Sequence, residues 1–593
     1  MENAYRSVGK YKLEYANLDF CRKGGKMAVL HNKRKIGKRD KRINKRALIS
    51  ENEKRKAVKK VHQVYDELLE RVKLFANTFG PYSYSKRYWE IILGKIIMGQ
   101  VSHIYERILV LKKIDDRIGE LSVDCVSPES YAVPNKTIYH KDLCSEWLEA
   151  QYYSQATLAI DINSSYKHVN YDLLEKSKEK NNKVSVAKKF LKKLWSNLVR
   201  KPKVGLRGAQ FDSKDILRMG VCTKLNIDQI EEVKKLMDTE ELKANNKKRR
   251  EIENLFGKNR LHNCVLNALS YNIPKLYLEG HNERLKQLHK SVSIDELPEH
   301  IISARTSYPP FLLLKAEAAK QGKKIFSIQH GGGYGEVNSS AEKHERSVSD
   351  RFITWGWKKE HKDTPMPSPK ILSNKKSDYT SNNKVLWITR SLSHYSDEIL
   401  NETLYKKLLV NEPEKFLKYQ TKFYESLSVE AKKDIYIRFK SSLKQKSKIN
   451  NKWRQKVVGI NNTCKLPEKV NIAESSTNMI KQSKQYGLRV VDHFGSTSFL
   501  QFIGLDMPVI IFSDIEYKSI SDMARMHYMK LENVGIFHRT AKSAAAKVNK
   551  VRHDVEAWWR GKKRREAINK FSELFAWSPD DRYKRWCKMI NNL

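Results

Sequence analysis

The stretch "GLRVVDHFGSTSFLQFIGLDMPVIIF", residues 487–512, decides the fold. Its two ends, "GLRVVDHF" and "PVIIF", are apolar and β-branched, and a helical segment opened by Gly-Ser-Thr-Ser separates them. Strands that are apolar on both faces and alternate with helices belong to a parallel sheet covered on both sides. "VLWITR" (385–390) and "DIYIRFK" (434–440) repeat the signal upstream. Residues 384–545 therefore read as a Rossmann-like domain of doubly wound α/β type.

The same style reappears earlier. "KKIFSI" (323–328) is a strand, "PFLLLKAEAAKQG" before it is a helix, and "RFITWGW" (351–357) starts as a strand. Between the two regions, residues 358–384 hold three prolines and many Ser, Asn and Lys, and read as a linker. The expected fold is thus GT-B-like: two Rossmann-like α/β domains facing a cleft, with a helix-rich N-terminal region. The expected divisions are a basic segment (1–60), a helix-rich half ending in an α/β acceptor-side domain (61–370), a nucleotide-sugar-binding domain (384–545) and C-terminal helices (546–593).

Composition narrows the partners. The chain has 593 residues, is 40% hydrophobic and 10% aromatic, and carries a formal charge of +46. Such a field favours anionic partners. Nine Lys or Arg lie between Lys33 and Arg46, against Asp40 alone, which suits a solvated face, an anionic lipid surface or RNA. From Val61 the spacing is helical, with Val64, Leu68, Leu69, Val72 and Phe75 on one stripe. The segment 88–111 is the best membrane candidate, but Glu90, Lys95, His103, Glu106 and Arg107 interrupt it, so it reads as a buried helix. Seven scattered cysteines without a C-x-x-C pair imply reduced thiols, and the start lacks an apolar leader; a cytoplasmic location follows.

The chemistry is expected at the carboxyl ends of the strands. "QHGGGYG" (329–335) sits past one such end. Gln329, Gly331 and Gly332 can bind a donor phosphate through backbone N–H groups, with His330 as acceptor or general base. Glu336, Glu342, His344, Glu345 and Asp350 follow; Glu345 and Glu336 rank highest as proton acceptors. A second strand ends at Asp492-His493, and Ser496, Thr497 and Ser498 then open a helix whose N-terminus suits phosphate. Arg390, Arg438 and Lys440 stand near the ends of two more strands. P-loop, dinucleotide, HExxH and DxD patterns are all missing, so a metal-independent reaction is expected, with no cofactor beyond a nucleotide-sugar co-substrate.

Five segments carry a resemblance: 85–108, "FSIQHGGGYG", "EKHERSVSDRFITWGW", "STSFLQFIGLDMPVIIF" and 533–559. With them the chain resembles a family of transferases encoded in bacterial surface-carbohydrate (O-antigen and capsule) loci. The basic start, 1–60, departs from that family's pattern. The likeness implies a GT-B-like glycan transferase. A looser likeness, to capsule Kdo transferases and CDP-glycerol glycerophosphotransferases, implies that His330 lies near the reacting centre. Where those enzymes have an Arg/His-Pro element this chain has "YIRFKSS", without the histidine, which weakens the case for a cytidine-linked donor. The expected activity is glycosyl transfer from a nucleotide-activated sugar to a surface polysaccharide or lipid-linked glycan, at the inner face of a membrane. Transfer of glycerol or ribitol phosphate is the enzyme alternative. Nucleic-acid binding is the other, though no nucleic-acid module is recognisable and no such partner is expected.

Overall fold

Two six-stranded sheets, parallel at every pairing, carry the molecule. The computed structural model describes residues 11–13, 50–118, 121–135, 145–167, 202–211, 213–230, 242–256, 259–304, 309–337, 339–371, 379–389, 413–439, 471–474 and 477–593. The basic run around Lys33–Arg46 lies outside them. Strands β1 (Tyr11–Leu13), β2 (Leu121–Val126) and β3 (Asn163–Lys167) form a small parallel sheet. Strands β4 (Val204–Arg207), β5 (Ile227–Gln229), β6 (His300–Ser303), β7 (Lys324–Ile328), β8 (Arg351–Thr354) and β9 (Asp363–Pro365) form the first large sheet, in the order β5-β4-β6-β7-β8-β9. Strands β10 (Val385–Ile388), β11 (Ile435–Arg438), β12 (Asn471–Ile472), β13 (Leu488–Val491), β14 (Val509–Phe512) and β15 (Phe537–His538) form the second, in the order β12-β11-β10-β13-β14-β15.

The second order reverses between β10 and β13, which is the doubly wound pattern with its switch point there. All four residues of β10, β13 and β14 are buried; the runs are apolar except for Arg489 in β13, whose guanidinium donates to the Ser483 carbonyl at 2.7 Å. The molecule is GT-B-like, with two Rossmann-like domains. The first sheet begins well before the region its sequence announced. "VGLR" and "IDQ" are too short and too mixed to stand out, yet they supply β4 and β5. The stretch read as a linker also contributes a strand, β9, at the sheet edge.

The N-terminal helices follow the sequence closely. Glu51–Asn77 starts at a capping box, in which Ser50 accepts the Glu53 N–H and the Glu53 carboxylate accepts the Ser50 N–H at 2.8 Å. Val61, Val64, Leu68, Leu69, Val72 and Phe75 all face inward. Helix Lys86–Ile118 packs along it and is buried along most of its length; its polar residues are paired, Gln100 with Asn272 at 2.7 Å and Arg107 with Glu106 at 2.8 Å. Among the described residues no helix is long and apolar enough to cross a membrane.

The C-terminal helices tie the two domains together. Lys562–Phe575 buries Ile568, Phe571 and Phe575 against the second domain. Arg582–Asn591 returns to the first domain, where Trp586 and Ile590 join β4, β6, β7 and β8 in one core. That return brings Cys587 to Cys222, 365 positions away, and the two form a disulfide. The scattered-cysteine pattern had implied free thiols. Among the described residues Cys125 and Cys264 are buried thiols outside any disulfide.

Gly356 sits where the first domain meets these helices. Its φ is +119°, and a Cβ there would collide with the Glu573 carbonyl. Gly356→Ala should therefore lower the unfolding free energy by about 2–4 kcal/mol in denaturant titration. A stability equal to that of the parent chain would contradict this docking.

Candidate active site

Why three glycines follow Gln329-His330 is answered by the other domain. The loop after β7 meets the loop after β13 backbone to backbone. Gly332 N–H donates to Thr497 Oγ1 at 3.0 Å. A Cβ on Gly332 would lie 2.6 Å from the Gly495 carbonyl oxygen, and one on Gly331 would lie 2.9 Å from Thr497 Oγ1. Gly495 has a φ of +66°, and a Cβ there would lie 3.4 Å from the Gly333 Cα. The glycines allow two chains to approach more closely than side chains permit.

Two of the three N–H groups of the expected anion nest are engaged within the protein. Gly332 N–H is bonded to Thr497, and Gly333 N–H is bonded to the Glu336 carboxylate. Gln329 is likewise structural. Its side-chain oxygen accepts Trp355 N–H and Trp357 Nε1–H, each at 2.9 Å, and its Nε2 donates to the Gly331 carbonyl at 3.0 Å. It joins the end of β7 to the end of β8.

Glu336 belongs to the domain junction. It is fully buried and accepts the Tyr528 hydroxyl from the second domain. Beside it, Ser521 N–H donates to the Glu336 carbonyl at 2.8 Å and Ser521 Oγ to the Gly335 carbonyl at 2.5 Å. A carboxylate so enclosed holds domains together; it cannot reach an acceptor hydroxyl. Glu342 accepts Gly335 N–H at 2.8 Å and pairs with Arg346 at 3.0 Å, which in turn pairs with Asp363 at 2.9 Å.

His330 is differently placed. Its carbonyl accepts Gln210 Nε2 at 3.1 Å, while its half-buried ring faces the Tyr334 hydroxyl, 3.3 Å from Nδ1 and 3.4 Å from Nε2. Tyr334 donates to Glu345 Oε2 at 3.0 Å. Glu345 is buried, so it stands behind Tyr334 and His330. Lys315 is fully buried nearby and has no hydrogen-bond partner among the described residues. Burial pushes its amine down to about 8, and the Glu345 charge works in the opposite direction.

On the second domain, Asp492 follows β13 at the switch point. It is buried and accepts Gln420 Nε2 at 2.7 Å and Trp387 Nε1 at 3.2 Å through one oxygen; its other oxygen lies 3.1 Å from His493 Nδ1. A carboxylate on Nδ1 fixes the orientation of an imidazole and leaves Nε2 for other work. The sequence reading passed over His493 and Tyr334, although both adjoin residues it selected. Ser496 is the N-cap of Thr497–Gly504 and accepts Phe499 N–H at 3.4 Å. Thr497 Oγ1 accepts from Gly332 and keeps its own proton to donate. Ser498 is half-buried in the first turn.

The cations fare differently. Arg390 and Lys440 lie outside the described residues. Arg438 donates to the carbonyls of Glu474 at 2.5 Å and Thr477 at 2.8 Å, and to the Gln482 side chain. Those bonds make it a strut of the second domain, and they displace the phosphate role suggested by its strand-end position.

A family model spans residues 28–590. The chain belongs to the LIC12162 family of transferases. This agrees with the resemblance carried by the Gln-His-Gly and Trp-Gly-Trp segments. The family match begins before the basic run at 33–60, so that run is not foreign to the family. No curated protein matches the chain. Among solved structures, the S. aureus MnaA–UDP co-structure is 10% identical, with a TM-score of 0.36, over 66% of this chain and 96% of that one. The wall teichoic acid polymerase TagF is 13% identical, with a TM-score of 0.32, over 68% and 91%. The spinosyn rhamnosyltransferase SpnG complexed with spinosyn aglycone is 11% identical, with a TM-score of 0.31, over 66% and 99%. At these scores the likenesses add nothing to the fold already described.

Two outcomes test this geometry in the LIC12162-family protein. Gly332→Ala should part the two loops and reduce transfer at least tenfold while the helical circular dichroism is retained; unaltered turnover would contradict the close approach. Acid should act through buried imidazoles. Burial pushes His344 down to about 3 and His62, His281 and His538 to about 4, from 6.5. The unfolded chain then binds the protons first, so stability is lost as pH falls below 6.5. Denaturant midpoints should fall as pH drops from 6.5 to about 4, and His344→Gln should flatten part of that slope. A midpoint constant over this range would contradict the burial of these rings.

Proposed function

We propose that the protein transfers a sugar from a nucleotide-activated donor to a glycan acceptor. One observation carries the reading. The carboxyl ends of two parallel sheets meet at Gly332 and Thr497, so a donor at the second sheet and an acceptor at the first would share one site. The donor diphosphate would lie at the switch point beside Asp492-His493 and the start of the Thr497–Gly504 helix. The Thr497 and Ser498 hydroxyls and the helix N-terminus would balance its charge.

His330 would take the proton from the acceptor hydroxyl. Tyr334 and Glu345 would hold its ring, and Glu345 would stabilise the imidazolium that forms. His493, held by Asp492, would donate Nε2–H to the departing phosphate. In this scheme Glu345 is a positioning residue and Glu336 takes no part in the chemistry. The Asp492-held imidazole also suits transfer of a polyol phosphate, and that alternative differs in leaving phosphorus in the product.

The reading is tested by thermal-shift screening against CMP, CDP, UDP and GDP compounds, followed by transfer assays. One nucleotide class at 100 times its Kd should raise stability by about 2.7 kcal/mol through mass action. His330→Ala should reduce kcat by about 10²–10⁴ and leave that shift in place. A chain that binds no nucleotide, or a His330→Ala variant with full turnover, would overturn the proposal.

A further inference from the structure

Helices Ser213–Cys222 and Arg582–Asn591 lie against each other and are bonded through Cys222–Cys587. Their inner faces are buried, with Ile216 and Met219 on one and Trp586 and Ile590 on the other. The outer face of the first helix is unusual. Leu217 is 54% exposed and Val221 is 71% exposed. Four residues apart, they form a single apolar stripe. Exposed Lys214, Arg218 and Lys224 surround the stripe, and exposed Lys584, Arg585 and Lys588 stand on the neighbouring helix.

The acidic groups of this region offset part of that charge. Asp215 is buried and accepts the Tyr583 hydroxyl, Asp581 pairs with Arg585 at 2.8 Å, and Asp580 precedes the last helix. Arg218 stands 5.2 Å from the centre of the Tyr583 ring. Between the helices a groove of about 470 Å³ is lined by Arg218, Tyr583, Lys584 and Lys588.

We propose that this face docks on an anionic lipid bilayer. Phosphate headgroups match the cations and the groove, and the acyl boundary takes up Leu217 and Val221. Nucleic acid would use the cations and leave the aliphatic stripe in water. A second copy would set like charges against each other. The bilayer accounts for both parts of the surface. Docking here also places the first domain beside lipid-borne glycans, and only that consequence rests on the transferase reading.

The test uses the full chain, without donor, and co-sedimentation with vesicles of phosphatidylcholine alone or mixed with phosphatidylglycerol. Binding is expected only to the mixed vesicles. Leu217→Gln with Val221→Gln leaves the charge unchanged and should weaken partition about tenfold at an unaltered melting temperature. Lys584→Gln with Lys588→Gln should weaken it as well. A parent chain that ignores mixed vesicles, or a Leu217/Val221 variant that binds them as tightly as the parent, overturns the proposal. So does a Lys584/Lys588 variant that loses only binding to RNA, or a Leu217/Val221 variant that converts a dimer into a monomer. Vesicle binding is read without nucleotide, so a failed transferase reading would leave its result intact.

Discussion

The backbone contact of Gly331–Gly333 with Gly495–Thr497 is the constraint on which the rest depends. It brings the carboxyl ends of two sheets within hydrogen-bonding distance. No side chain fits at Gly332, because the Gly495 carbonyl occupies the space where a Cβ would go. Buried polar groups flank the contact and make it specific. Glu336, Tyr528 and Ser521 bond across the domains, and Gln329 fixes the loop to Trp355 and Trp357. A buried carboxylate left without such partners would be strongly destabilising, so this junction has one favourable register.

Polar residues near the junction therefore divide into two groups. Gln329, Glu336, Glu342, Arg346 and Arg438 have side chains engaged by protein partners, and they hold loops and helices in place. His330 and His493 are half-buried, each with a side-chain partner that orients the ring. The second group has the arrangement that proton transfer needs: a titratable ring backed by a group that fixes it.

Much of this was legible in the sequence, for identifiable reasons. Strands β10 and β14 are unbroken apolar runs and β13 is one but for Arg489, and such runs admit few alternatives. The Val61–Phe75 stripe announced its helix through period alone. Strands β4, β5 and β9 were hidden because three or four residues, one of them Gly205 and another Pro365, carry little periodic signal. The disulfide was hidden because its partners are 365 positions apart and only the returning last helix unites them. At the site, strand ends located the right loops, but local pattern could not tell a glycine that binds an anion from one that admits another backbone. It likewise could not separate the enclosed Glu336 from Glu345, because that distinction depends on Tyr528, almost two hundred residues later.

The most direct measurement is a structure of the protein with a bound nucleoside diphosphate. The account predicts the β-phosphate at the first turn of Thr497–Gly504, within hydrogen-bonding reach of Thr497 or Ser498, with His493 beside it and His330 facing it across the junction. A nucleotide seated away from the ends of β10 and β13, with the Gly332–Thr497 contact far from its phosphates, would contradict the account.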